Sequence, residues 1–222
     1  KDGSVEAEKA VVLCAEHKAL ARKISEECMV LLKNNGILPL DEHSEIAVIG
    51  SLADSREITG SWAIFADRND TVTMKQALSE LYPNANITFV DSDNAEEAAA
   101  AAKNKKAVIL ALGESEWSTG ESKSISDIRL SAEHRELFDA VYNVNPNIVT
   151  VLFGGRPLAI PEIAERSAAV LEAWLPGTFG TYALADILFG KVNPSGRLSM
   201  SFPYSTGQLP FRYRAYNSGR PK

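Results

Sequence analysis

The chain has 222 residues, 45% hydrophobic and 23% charged, the balance of a soluble globular protein long enough to bury a sizeable core. A formal net charge of -6 without any Lys/Arg-rich run excludes a phosphate-tracking surface, so nucleic acid is not an expected partner. No apolar run is long enough to span a membrane, and Lys1-Asp2-Gly3-Ser4 carries neither Met nor the apolar stretch of a signal peptide. Such a start fits a mature form or a cut segment, and the compartment of the parent protein is unknown from it.

In chain order, residues 6–34 read as helix, because Leu13, Leu20, Ile24, Cys28 and Leu31 recur at helical spacing. A break near Glu16 would make the first dozen residues a connector. Gly36 and Pro39 stop the helix. Cys14 and Cys28, 14 positions apart on it, would lie roughly 21 Å apart at about 1.5 Å per residue, so they are expected to be free, buried thiols. Ile46–Ile49 is a short buried strand closed by Gly50. A polar stretch with Gly60-Ser61-Trp62 leads to a helix over 74–82, a strand at 87–90 and an alanine-rich helix over 94–104.

Ala107–Leu112 is the clearest buried strand, followed by a long polar loop, 113–130. Ser131 is a good N-cap for the next helix, on which His134, Leu137, Phe138 and Val141 share a face. Next come a strand over 148–153, the turn Gly154-Gly155-Arg156-Pro157, a short helix near 161–166, a strand over 169–174 and a helix over 178–189. The run 197–202 alternates, with Leu198, Met200 and Phe202 on one side, as a half-buried edge strand does.

This alternation implies an α/β fold with a mostly parallel sheet and helices on both faces. Ligands of such folds gather beyond the carboxyl ends of the strands. The loops after Ile49, Leu112, Phe153 and Trp174 should therefore share one rim.

The 113–130 loop puts Glu114, Glu116 and Glu121 on a Gly/Ser-rich segment at that rim. A carboxylic acid with a raised pKa can act there as a general acid; the plain alternative is a solvated acidic loop. Trp62 and Trp117 lie on the same rim, as sugar-stacking faces or as covers over a core edge. Gly50 is not followed by a dinucleotide fingerprint, and there is no phosphate loop, so no cofactor is expected. Nothing resembles a Cys/His metal site. His17, His43 and His134 lie outside the candidate loops, and His134 reads as structural. Ser51 and Ser61 have no evident His or Asp partner, which leaves a hydrolase triad unsupported.

Three segments resemble the C-terminal α/β domain of glycoside hydrolase family 3. They are Leu31-Leu32-Lys33-Asn34-Asn35-Gly36-Ile37-Leu38-Pro39-Leu40, then Pro176-Gly177-Thr178-Phe179-Gly180 through Phe189-Gly190, then Asn193-Pro194-Ser195-Gly196-Arg197-Leu198 through Phe202-Pro203. The likeness runs over residues 16–220. It departs at Ile125, where an arginine is usual, at Ser131, where a proline is usual, and at Phe179 and Thr181.

The resemblance implies a three-layer α/β/α sandwich around a mostly parallel, about six-stranded sheet. It divides the chain into a connector from an upstream barrel (1–15), the sandwich (16–203) and a connector toward a downstream domain (204–222). It further implies a retaining, exo-acting, β-glucosidase- or β-xylosidase-type enzyme acting on a β-linked oligosaccharide or glycoside. An N-terminal (α/β)8 barrel of the same protein would carry the Asp nucleophile. By the same resemblance Glu121 is the general acid/base, with Glu114 and Glu116 as competitors, and Trp62 lines the leaving-group sugar site. A chain holding only this half is expected to be inactive. The alternative is a non-catalytic carbohydrate-binding or scaffolding domain that uses Trp62 and Trp117. A periplasmic or secreted bacterial parent fits, and so does a cytoplasmic one.

Overall fold

The computed structural model describes residues 3–214 and 216. Two helices, α1 (Val5–Val11) and α2 (Ala15–Cys28), lead directly into a strand, β1 (Val30–Asn34). The single helix expected over 6–34 is thus two helices and a strand. The break falls at Leu13, whose φ is +57°, and Cys14 becomes the N-cap of α2. Both cysteines are free, but they are not buried: Cys28 is exposed and Cys14 half-buried.

Alternation follows as β2 (Ile46–Ile49), α3 (Met74–Leu81), β3 (Ile87–Val90), α4 (Ala95–Ala102) and β4 (Ala107–Gly113). It continues with α5 (Ala132–Val144), β5 (Ile148–Phe153), α6 (Pro161–Arg166), β6 (Ala169–Trp174) and α7 (Gly180–Leu188). Side chains close the orphan N–H groups at the helix starts. Thr73 and Gln76 form a capping box on α3, Asn94 accepts from the N–H groups of Glu96 and Glu97, and Ser131 accepts from that of His134.

The strands form one six-stranded sheet in the order β1-β6-β5-β4-β2-β3, parallel except for β1, which runs antiparallel to β6. Residues 197–202, expected to be an edge strand, form none: the place beside β6 is occupied by β1. Leu198 and Met200 are exposed, and the Phe202 ring packs 6.3 Å from that of Trp174.

Parity along the central strands builds two cores. Ile46, Val48, Ile109, Val151, Phe153 and Leu171 face α3 and α7; Ala47, Ile49, Leu110, Leu112, Leu152 and Val170 face α4, α5 and α6. Burial on both sides makes β2, β4 and β5 continuously apolar, as parallel strands between helical layers are. One buried polar link stitches the first layer. Asp186 of α7 pairs with Arg22 of α2 and accepts the Tyr82 hydroxyl at 3.2 Å.

β2 and β4 end close against their neighbours. A Cβ on Gly113 would lie 1.9 Å from the Phe153 carbonyl oxygen, and one on Gly50 would lie 2.5 Å from that of Ala111. Gly50 is therefore required by strand packing. Among the described residues no helix is long and apolar enough to cross a membrane. Of the expected connectors, residues 1–2, 215 and 217–222 lie outside the described residues, and 204–214 is irregular apart from a turn at Thr206–Gln208.

Candidate functional site

Because β2, β4, β5 and β6 are parallel, the loops that follow them meet at one edge of the sheet, as the strand order requires. Loops 50–73 and 114–131 form most of that edge. They are tied together by an ion pair between Arg68 and Glu116 and by the hydroxyls of Ser61 and Thr119, 3.2 Å apart.

The three glutamates of the second loop have different surroundings. Glu114 follows β4 directly and accepts from Arg156 Nε at 3.0 Å, while Arg156 Nη2 donates to the Ser118 carbonyl at 3.1 Å. Burial pushes the Glu114 carboxyl up from its ordinary value, and the guanidinium of Arg156 opposes the rise. Glu116 is buried, held by Arg68, and its N–H donates to Glu57 Oε2 at 3.4 Å. Glu121 is exposed and makes no hydrogen bond or ion pair with another side chain among the described residues.

Glu121 lies in an open cleft of about 410 Å³ with Ser61, Trp62, Arg68, Glu116, Trp117 and Lys123. That is within the range of small-ligand sites. Trp62 is 64% exposed and Trp117 71% exposed, so neither covers a core edge. Lys123 Nζ donates to the Trp117 carbonyl at 2.6 Å and sits 5.0 Å from the centre of its ring, a cation–π contact with the indole. Glu121, Glu116, Trp62 and Trp117 are therefore brought together, whereas Glu114 lines a neighbouring cleft with Ser51, Asp93 and His134. Arg68 and Lys123 escaped the sequence reading; the only signal for them was positive charge, Lys123 within the acidic loop and Arg68 in the other loop of the same rim.

The neighbouring cleft corrects the expectation that Ser51 has no Asp or His nearby. Ser51 donates from both N–H (2.9 Å) and Oγ (2.5 Å) to Asp93, and His134 Nε2 lies 3.8 Å from the same carboxylate. Burial would raise the Asp93 carboxyl, but the His134 imidazole and the Ser51 donors outweigh it and bring it down to about 2. The order is wrong for a triad, in which the serine must give its proton to the imidazole. His134 itself is buried, and its Nδ1 accepts the Gly113 N–H at 3.5 Å, the structural role read for it. Among the described residues no group of three His, Cys, Asp or Glu side chains gathers to hold a metal ion.

The chain is thus a doubly wound α/β sandwich with an aromatic and carboxylate-lined cleft on the carboxyl edge of its sheet. The family model for the glycosyl hydrolase family 3 C-terminal domain matches residues 29–222, and the chain belongs to that family. It is 38% identical to a periplasmic β-glucosidase of Salmonella typhimurium over 92% of this chain and 31% of that protein. A β-xylosidase of Formosa agariphila is 34% identical over 89% of this chain and 30% of its own length. Among solved structures, the β-glucosidase of Listeria innocua in complex with isofagomine superposes with a TM-score of 0.88 at 38% identity, covering 95% of this chain and 30% of that one. The chain thus spans under a third of the length of these relatives.

Proposed function

We propose that the chain is the acid/base half of a retaining, exo-acting glycoside hydrolase of the β-glucosidase type. Glu121 is its general acid/base, and Trp62 and Trp117 line the leaving-group sugar site. One observation carries the reading. Among the described residues, Glu121 is the one of the three loop glutamates that pairs with no arginine, and it is exposed in a cleft that two exposed tryptophans also line.

The substrate is a β-linked glycoside, and the nucleophile is an aspartate on an N-terminal barrel of the same protein. In the first step the protonated Glu121 carboxyl gives its proton to the glycosidic oxygen. The bond from that oxygen to the anomeric carbon breaks while the barrel aspartate bonds to the carbon. In the second step the Glu121 carboxylate takes a proton from water. The water oxygen bonds to the anomeric carbon and the aspartate leaves. The indoles orient the departing sugar by its apolar face. The Arg68–Glu116 pair fixes the loop that carries the acid against the loop that carries Trp62. A periplasmic or secreted bacterial parent accords with the Salmonella relative.

The test is Glu121→Gln in the barrel-containing protein. Loss of the proton donor should lower kcat/KM for alkyl glycosides by about 10²- to 10⁴-fold. Glycosides with activated leaving groups should suffer less in the first step, and azide should partly restore turnover. Normal rates overturn the assignment. Tight binding of cellobiose to the chain alone, together with normal rates in that variant, would favour a binding module.

A further inference from the structure

The carboxyl end of β6 holds an unusual arrangement. Glu172 is 2% exposed between the edge strand β1 and β5, and its Oε1 accepts the N–H of Trp174 at 2.9 Å. Trp174 has a φ of +57°, a left-handed conformation that a bulky residue adopts only when its surroundings enforce it. The pairing of β5 with β6 is irregular at this point: Leu152 faces Glu172 and Phe153 faces Trp174, with Ala173 as the extra residue.

Both lips of the Glu121 cleft rest on this bulge. On one side the Trp174 carbonyl accepts the Gly154 N–H at 3.1 Å. Gly154 abuts Glu114 Oε2, which holds Arg156, and Arg156 in turn holds the Ser118 carbonyl in the loop of Glu121. On the other side Leu175, the next residue, packs on Gly60, immediately before Ser61 and Trp62; a Cβ on Gly60 would lie 2.8 Å from Leu175 Cδ1.

We propose that Glu172 is a positioning residue for the acid/base loop: it locks the bulge at Trp174 and so sets the distance between the lip of Trp62 and the lip of Glu121. This rests on the reading of Glu121 as the acid/base. The carboxyl must stay neutral to sit there. Burial pushes it up to about 8, the Trp174 N–H pulls the other way, and the negative charge of Glu114, which Arg156 partly offsets on its far side, adds to the rise.

In the barrel-containing protein, Glu172→Leu removes the acceptor of the Trp174 N–H. Assayed well below its unfolding temperature, it should lose about 10- to 100-fold in kcat with KM little changed, the cost of a misplaced catalytic group. Glu172→Gln retains an oxygen that accepts the same N–H and should recover most of that loss. A folded Glu172→Leu with unaltered kcat overturns the proposal. Should the leucine variant fail to fold, the isolated chain reports directly. With Trp62→Phe and Trp117→Phe, Trp174 is the sole tryptophan of three. Its emission should titrate near pH 8 with Glu172 present and stay flat in Glu172→Gln; a flat trace in both overturns the coupling. Normal rates in Glu121→Gln would instead remove the acid/base reading and leave the emission result standing.

Discussion

At the scale of single residues, arginines decide what each carboxylate does. Glu114 and Glu116 meet Arg156 and Arg68, which are 42 and 48 residues away in the chain. No local pattern announces such partners. That a loop rich in carboxylates follows β4 is legible from sequence; which carboxylate remains free to react with a ligand is a tertiary fact. Arg156→Met should leave Glu114 half-buried without its cation and cut Ser118 loose. The expected loss is about 1–3 kcal/mol in urea unfolding, the range for a hydrogen bond to a charged group. A midpoint equal to wild type would show the pair to be a surface ornament. Glu172 makes a second residue-scale prediction. Its carboxyl is raised from 4.5 to about 8 in the folded chain, so the stability it contributes is fully present below 4.5 and is lost as the pH climbs through about 8. At about 1.4 kcal/mol per pH unit the loss is on the order of a few kcal/mol. Urea midpoints should fall between pH 5 and 8 in wild type and change less in Glu172→Gln. Asp93 does not blur this window, because its lowered carboxyl costs stability only as the pH falls below 3.8 toward about 2.

At the scale of elements, the parallel strands announce themselves because helices bury both their faces, which leaves unbroken apolar runs such as Val108–Leu112. β1 has no such signature. It lies at the sheet edge, only one end of it is buried, and Leu31 continues the helical spacing of Ile24 and Cys28 across a turn of one residue, Met29. The opposite error, a strand over 197–202, came from true alternation in a segment that pairs with neither edge, the place beside β6 being taken by β1. Edge pairing is a competition that neither segment reveals alone. The tight exit of β4 gives an element-scale prediction. Gly113→Ala would press a methyl group to within 1.9 Å of the Phe153 carbonyl, backbone against backbone, where neither side can rotate away. The expected cost is about 3 kcal/mol or more, the upper end of overpacking. Gly36 is the control: its φ is +91° but its Cβ direction is open, so Gly36→Ala should cost only about 1–2 kcal/mol of left-handed strain. Equal losses in thermal unfolding for the two variants would contradict the close approach of β4 to β5.

At the scale of the whole molecule, the proposed function makes the cleft half a site. Double displacement by a retaining enzyme needs a second carboxylate about 5 Å from the acid, aimed at the anomeric carbon. The other glutamate lining the cleft is Glu116, and Arg68 holds it. The rim also exposes Trp62, Ile64, Phe65 and Trp117, with Phe65 at 100%. Exposed large apolar side chains gathered on one rim are the kind of surface that meets a ligand or a partner. On the proposed reading, both observations fit a component beyond the sheet, a barrel bearing the aspartate. The isolated chain should therefore release no nitrophenol from nitrophenyl β-glucoside or β-xyloside, and the same sequence joined to its barrel should hydrolyse one of them. Arg68→Ala provides a control on the isolated chain. Freeing Glu116 should leave it equally inert, because a loose carboxylate without a barrel lacks the glycone pocket that would present the anomeric carbon. Turnover by the isolated chain, abolished by Glu116→Gln, would place the nucleophile within this domain and reverse the division of labour.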